Sequence, residues 1–145
     1  MEAAAEILLV EDSPHDVELV LRALRRCNLT DKVRVTRDGV EALDFLFGAD
    51  GVLCHNPPRW PKVVFLDLKL PRIAGLEVLR KMKMDERSRH IPVVVLTSSR
   101  EERDVQESYA LGVNSYVVKP VDYESFAQVV SDLGNYWVQV NVPPT

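Results

Sequence analysis

Short apolar runs alternate with helical patterns along this chain. Three of the runs are continuous and rich in β-branched residues, at Ile7–Val10, Val63–Leu66 and Val93–Leu96. Such runs are typical of parallel strands that are covered on both faces. Val33–Thr36 alternates between apolar and polar residues and predicts a half-exposed edge strand, while Tyr116–Val118 predicts a fifth strand. The alternation of strand and helix predicts a doubly wound α/β sheet.

The five predicted helices carry local start signals. A residue that can accept a backbone hydrogen bond precedes four of them, often with an acidic residue two or three positions later. Gly75–Met84 is the remaining helix, and Gly112 is predicted to end the fourth. The predicted N-caps are Ser13, Asp38, Ser98 or Ser99, and Asp122. We predict one domain over residues 6–138, followed by an extended tail over 139–145 that ends in prolines and cannot remain helical.

Length and charge narrow the class of protein. The chain has 145 residues, a length that fits one globular domain, and its net charge is −4. The last 45 residues carry 7 acidic and 2 basic side chains, so nucleic acid is not an expected partner. No apolar run approaches the about 18 residues that a membrane span needs, and a cytoplasmic location without membrane contact is expected. Cys27 and Cys54 lack the spacing of a disulfide framework or a zinc site.

Charged and hydroxyl side chains follow the predicted strands. Glu11 and Asp12 come after the first strand, Asp67 after the third, Thr97 after the fourth and Lys119 after the fifth. Ligands of open parallel sheets bind at the carboxyl ends of the strands. Converging carboxylates repel one another and are oxygen ligands that suit Mg²⁺. The added lysine favours an anion shared between the metal and the ammonium, and a phosphoryl group fits that requirement.

The phosphoryl group is expected to bond to the protein itself. The chain has neither a P-loop nor a G-x-G-x-x-G motif that would hold a nucleotide. A carboxylate can serve as a nucleophile and carry an aspartyl phosphate. Asp67 is the predicted acceptor because its strand is central, and Asp12 and Lys119 would flank it. Thr97 would donate its hydroxyl to a phosphoryl oxygen.

Four motifs together resemble the receiver domain of two-component response regulators. They are Val10-Glu11-Asp12-Ser13, Leu66-Asp67-Leu68-Lys69-Leu70-Pro71, Leu96-Thr97-Ser98 and Val118-Lys119-Pro120. The resemblance implies a flavodoxin-like receiver fold, with strand order 2-1-3-4-5 and five helices. It also implies that a sensor histidine kinase phosphorylates Asp67, so the protein would be a phosphoacceptor in a phosphorelay and not an enzyme with its own substrate.

The resemblance also assigns roles to individual residues. Asp12, Asp67 and the main-chain carbonyl of Lys69 would bind Mg²⁺, and Glu11 would reach the metal through water. Lys119 would pair with the acceptor carboxylate and then with the phosphoryl oxygens. The Lys119–Pro120 bond would be cis. Thr97 and Tyr116 would couple phosphorylation to the fourth helix, fifth strand and fifth helix.

Within that family, the chain resembles stand-alone receivers that pair with bacterial phytochromes. The shared features are the proline-rich connection before the third strand, the aromatic pair Tyr136-Trp137 and an apolar tail. The resemblance implies a phytochrome as the kinase and a homodimer formed through the last helix and tail, by Tyr136, Trp137 and Val140. No output domain is expected, because eight residues follow Trp137.

Two other functions compete with the phosphoacceptor. A phosphohydrolase of the haloacid dehalogenase type would need Asp-x-Asp after the first strand, where this chain has Glu11-Asp12-Ser13. A receiver-like module that binds a partner without phosphorylation typically lacks one of the five functional positions, and this chain has all five.

Overall fold

The computed structural model describes residues 5–144, and these contain a five-stranded parallel sheet. Its strands are β1 (Ile7–Val10), β2 (Val33–Thr36), β3 (Val63–Leu66), β4 (Val93–Thr97) and β5 (Ser115–Val118). The strand order is β2-β1-β3-β4-β5. The central strands β1 and β3 pair from Ile7 opposite Val63 to Val10 opposite Leu66. The predicted sheet and strand order are confirmed, and β2 lies at an edge.

Within residues 5–144, five α-helices connect and follow the strands. They are α1 (Pro14–Arg25), α2 (Gly39–Phe47), α3 (Gly75–Met84), α4 (Glu102–Ala110) and α5 (Tyr123–Gly134). Three of the predicted N-caps are confirmed by hydrogen bonds from the helix backbone. Ser13 Oγ accepts from the Asp16 N–H at 3.2 Å, and Asp38 Oδ1 accepts from the Glu41 N–H at 2.8 Å. The third cap, Asp122, accepts at 2.9 Å.

The sheet has a hydrophobic core on each face because successive strand side chains point in opposite directions. On one face Leu9 and Phe65 pack with apolar residues of α1 and α5. On the other face Leu8 and Leu66 pack with residues of α2 and α3. All four side chains are buried. Burial on both sides explains why the central strands are continuous apolar runs.

The start of α4 was predicted wrongly. The N-cap is Glu101, and neither Ser98 nor Ser99 caps the helix. The hydroxyl of Ser99 donates to Asp104 at 2.5 Å and accepts from the Glu101 N–H at 3.3 Å. Ser99 therefore organises the loop that precedes α4. The end of this segment agrees with the prediction, because Gly112 has a φ of +101°, which favours glycine.

Helical backbone continues further into the tail than predicted. A π-helical segment, Asn135–Val140, follows α5, and the chain becomes extended at Asn141. The buried Val138 contributes to the core beside α1 and α5, and its carbonyl oxygen accepts a 3.2 Å hydrogen bond from Lys62 Nζ. Proline restricts the backbone angles of Pro143 and of the residue before it. Residues up to Val140 can therefore adopt helical backbone. The division into a domain over 6–138 and a tail over 139–145 stays a prediction.

Candidate functional site

The predicted site residues lie at the carboxyl ends of the strands. Glu11 and Asp12 follow β1, Asp67 follows β3, Thr97 ends β4 and Lys119 follows β5. The Asp67 N–H donates to the carbonyl oxygen of Val10 at 3.0 Å, and the Lys119 N–H donates to that of Thr97 at 2.7 Å. These bonds extend the sheet ladder by one residue into the site. The backbone that carries Asp67 and Lys119 is thereby held by the central strands.

Three carboxylates form one acidic cluster at this edge. Oxygens of Glu11, Asp12 and Asp67 lie within 4.8 Å of one another. Glu11 and Asp67 are buried, whereas Asp12 is exposed. A set of oxygen ligands, open to solvent on one side, fits a hard divalent cation that keeps some of its waters. The Lys69 N–H donates to Asp67 Oδ1 at 3.3 Å, and the predicted metal role of the Lys69 carbonyl stays a prediction.

The Lys119 ammonium contacts three carboxylates. Its Nζ lies 2.5 Å from Glu11 Oε1, 2.7 Å from Asp16 Oδ2 and 3.2 Å from Asp67 Oδ2. An ammonium has three N–H donors, so these carboxylates can engage all of them. The contact with Asp67 was expected from the sequence.

Asp16 was not identified as a site residue from the sequence. It was interpreted only as an acid in the first turn of α1, a position where carboxylates are common because they interact well with the helix dipole. The signal that could have identified it is its place at the N-terminal end of α1, directly after the β1 loop. That end of the helix faces the site, and it brings the Asp16 carboxylate to Lys119.

Burial and charge shift the pKa values of the buried pair. Desolvation raises the pKa of Glu11 to about 7; the hydrogen bond from Lys119 lowers it, and the nearby charge of Asp67 raises it further. Burial by itself lowers the pKa of Lys119, but hydrogen bonds to Asp16 and Glu11 raise it above its ordinary value. Lys119 is therefore a permanent cation at neutral pH, whereas Glu11 of the metal-free protein titrates near neutrality.

Thr97 and Tyr116 meet at the same loop residue. Thr97 is fully buried, and its Oγ1 accepts a 3.3 Å hydrogen bond from the Ser99 N–H. The Tyr116 hydroxyl donates to the Ser99 carbonyl oxygen at 3.0 Å. Burial of the phenol, assisted by nearby acidic residues, raises the pKa of Tyr116, so it remains a donor at neutral pH. The loop between β4 and α4 is thus bonded to both side chains.

The chain matches one known protein family over most of its length. The profile of the family described as "Response regulator receiver domain" matches residues 7–131. The chain belongs to this family. Receiver domains of response regulators are signalling proteins and not conventional enzymes.

Two curated relatives align with 95% of this receiver. The chain is 41% identical over 138 residues to the probable methanogenesis regulatory protein FilR2 of Methanothrix harundinacea, of which 86% is covered. It is 38% identical over 138 residues to the response regulator Rcp1 of Synechocystis, of which 92% is covered. The receiver is therefore homologous to regulators that nearly match it in length.

Solved structures give the same family and fold. The phosphorylated cyanobacterial phytochrome response regulator RcpA has a TM-score of 0.86 at 36% identity, with 99% of this chain and 100% of RcpA covered. The bacteriophytochrome response regulator AtBRR has a TM-score of 0.70 at 53% identity, with 97% and 99% covered. The Mn²⁺-bound form of Rcp1 has a TM-score of 0.84 at 36% identity, with 96% and 98% covered. The receiver is thus homologous to phytochrome response regulators.

Other predicted features lie outside the acidic cluster. Tyr136 and Val140 are exposed, whereas Trp137 is partly buried and meets the Tyr136 ring edge-on at 5.0 Å. The cis peptide bond found within residues 5–144 joins Asn56 and Pro57. The expected cis bond at Lys119–Pro120 was therefore wrong. Over the same described residues, no helix is both long and apolar enough to span a bilayer.

Proposed function

We propose that this receiver accepts a phosphoryl group on Asp67 from a histidine kinase. The observation that carries the proposal is the position of the Asp67 carboxylate, which lies within the acidic cluster and 3.2 Å from Lys119 Nζ. A nucleophilic carboxylate beside a fixed cation is suited to receive an anionic group. Asp67 is also held by the sheet, so its position does not depend on a long loop.

The proposed transfer is a displacement at phosphorus. An Asp67 oxygen forms a bond to phosphorus with its own electron pair, while the bond from phosphorus to the donor breaks. That broken bond is P–N for a phosphohistidine and P–O for an acetyl phosphate, and the donor atom keeps its electron pair. Lys119 is placed to hydrogen-bond a phosphoryl oxygen, and Thr97 is the predicted hydroxyl donor to another.

Mg²⁺ is the divalent ion that we propose for the acidic cluster. Asp12 and Asp67 would bind it, with the Lys69 carbonyl, and Glu11 would reach it through water. The donor set supports this proposal because it consists of oxygens near one solvent-open position. When bound, the ion neutralises charge on the carboxylates and on the phosphoryl oxygens.

Phosphorylation would be transmitted through the loop between β4 and α4. Thr97 and Tyr116 both bond to the backbone of Ser99, one to its N–H and the other to its carbonyl oxygen. If Thr97 turns its hydroxyl toward a phosphoryl group, the Ser99 N–H loses its acceptor, and the loop loses this hydrogen bond to β4. Tyr116, which is bonded to the same residue, would then change position with it. We therefore propose that Thr97 and Tyr116 act as one switch.

Intact mass spectrometry tests the acceptor. The protein is incubated with acetyl phosphate and Mg²⁺, and the expected result is a labile mass increase of one phosphoryl group. Asp67→Asn should abolish it, while Asp31→Asn, an exposed acid elsewhere on the surface, should leave it unchanged. A wild-type chain without any adduct would support the phosphorylation-independent interaction module instead. An adduct that persists in Asp67→Asn would place the acceptor at another residue.

We also propose a phytochrome-type histidine kinase as the partner. The support is the likeness to RcpA and AtBRR, which are described as phytochrome and bacteriophytochrome response regulators. The test compares the rate of phosphoryl transfer from an autophosphorylated bacterial phytochrome with that from a histidine kinase of another sensor class. Faster transfer from the phytochrome supports the pairing, and equal or slower transfer contradicts it. We also propose a cytoplasmic location for this receiver.

A homodimer through the last helix and tail is the second partner that we propose. Tyr136 and Val140 are exposed on the π-helical segment and Val142 on the extended tail, with 48%, 57% and 87% of their surface accessible. A partner subunit could cover this apolar surface. Sedimentation should show a wild-type dimer, a monomer for Val140→Asp, and a dimer for Val121→Asp, which alters an exposed valine outside the tail. A wild-type monomer at high concentration, with and without beryllofluoride, would contradict the proposal.

A further inference from the structure

Asp16 belongs to the group of side chains around Lys119, but the proposed transfer gives it no role. Its backbone is fixed because its N–H donates to the N-cap Ser13 in the first turn of α1. Its side chain is 26% exposed, compared with 3% for Glu11 and 10% for Asp67. The Asp16 carboxylate accepts a hydrogen bond from Lys119 Nζ at 2.7 Å. Asp16 is therefore attached to a rigid element and directed at the site's lysine.

The three contacts of Lys119 are unequal. Its Nζ lies 2.7 Å from Asp16 and 2.5 Å from Glu11, but 3.2 Å from Asp67. The ammonium is thus drawn toward the β1 and α1 side of the site. The three carboxylates can engage all of its donors, so a phosphoryl oxygen can bind the ammonium only in place of one of them. Lys119 must loosen one contact before it can bind the incoming group.

Asp16 competes with the phosphoryl oxygens for the Lys119 ammonium but has no role of its own in the proposed transfer. Asp67 is the proposed acceptor, and Glu11 belongs to the acidic cluster that would surround the metal. A charge-assisted hydrogen bond in a partly buried site is stronger than one between neutral groups, so Asp16 can hold Lys119 effectively. The phosphoryl oxygens would have to displace this carboxylate from the ammonium.

We propose that Asp16 is a positioning residue that holds the Lys119 ammonium away from Asp67 and thereby slows phosphoryl transfer to Asp67. The proposal rests on the proposed function, because it concerns the rate of that same transfer. Asp16 acts through Lys119, whose ammonium its carboxylate contacts at 2.7 Å. The consequence is a receiver whose phosphorylation is restrained by a residue on α1.

The test compares rates of phosphorylation by acetyl phosphate at fixed pH and saturating Mg²⁺. We expect Asp16→Asn to react about tenfold faster than wild type, which is about 1.4 kcal/mol of barrier at 1.36 kcal/mol per decade. Asp16→Glu keeps the charge and should restore the wild-type rate. Glu18→Gln removes an exposed charge from the same helix and should leave the rate unchanged. Circular dichroism checks that each variant is folded.

A crystal structure of metal-free Asp16→Asn provides the second measurement. The distance from Lys119 Nζ to Asp67 Oδ2 should fall below its present 3.2 Å. An unchanged or slower rate in Asp16→Asn would overturn the proposal, as would an equal acceleration in Asp16→Glu. A faster rate without movement of Lys119 would also overturn it, because the charge of Asp16 would then act directly on the donor. If wild type itself is not phosphorylated, the proposed function fails first.

Discussion

Glu11 is a buried carboxyl group whose ionisation in the metal-free protein opposes folding. Desolvation raises its pKa from the ordinary 4.5 to about 7, against the hydrogen bond from Lys119 and with the added repulsion of Asp67. A carboxyl with a higher pKa in the folded chain holds its proton more tightly there than in the unfolded chain. Its contribution to stability is therefore complete below pH 4.5 and is lost as the pH rises through about 7.

The size of this effect follows from the difference between the two pKa values. At 1.36 kcal/mol for each unit, the rise from 4.5 to about 7 corresponds to about 3 kcal/mol. The free energy of unfolding should thus fall by up to about 3 kcal/mol between pH 4.5 and pH 8 on account of Glu11. Asp85 and Asp122 have lowered pKa values, so their shifts act at lower pH than that of Glu11.

Urea unfolding at several pH values measures the effect. Wild type and Glu11→Gln are unfolded in EDTA at pH 5, 6, 7 and 8, and the difference between their free energies is plotted against pH. The wild-type free energy minus that of Glu11→Gln should decline with rising pH, because Glu11 ionises over this range and Gln does not titrate. Mg²⁺ should reverse the decline, since a metal stabilises the ionised carboxylates that bind it. A difference that stays constant or grows with pH would refute the reasoning about Glu11.

Further substitutions test the packing beside Asp67, the core of the sheet and the cap of α2. Gly75→Ala should slow phosphorylation and lower stability, measured by mass spectrometry and urea unfolding, because a Cβ there would overlap the backbone of Asp67; unaltered values would contradict this. Phe65→Ala should lower the free energy of unfolding by about 3–5 kcal/mol, and a loss below about 1 kcal/mol would contradict its place in the core. Asp38→Ala removes the N-cap of α2 and the partner of Arg72. Urea unfolding should show a free energy of unfolding that is lower by about 1–2 kcal/mol. Asp38→Asn should recover most of that loss if capping dominates.

Strands and helix starts were predictable because they depend on local chemistry. The apolar run at Val63–Leu66 lies in a strand buried on both faces, and the structure has the same four residues in β3. Ser13 and Asp38 cap their helices through hydrogen bonds to residues three positions later. Such contacts involve neighbours in the chain, so the sequence pattern contains them.

The start of α4 and the end of the last helix were less predictable. Ser98 and Ser99 each have a glutamate three positions later and satisfy the capping pattern equally. Long-range contacts decide the matter, because Tyr116 bonds to the Ser99 carbonyl and keeps the loop outside the helix. Val138 likewise stays in helical backbone, and its carbonyl oxygen accepts a hydrogen bond from Lys62, a residue far away in the chain.

The sequence by itself determined which chemical groups reach the candidate site. Acids and a lysine that directly follow parallel strands must arrive at one edge of the sheet, as Asp67 and Lys119 do. Only the tertiary structure decided how Lys119 distributes its three donors. Asp16 and Lys119 are 103 residues apart, and their 2.7 Å contact depends on where α1 lies relative to β5. Burial of Glu11, which raises its pKa, likewise arises only when these elements pack together.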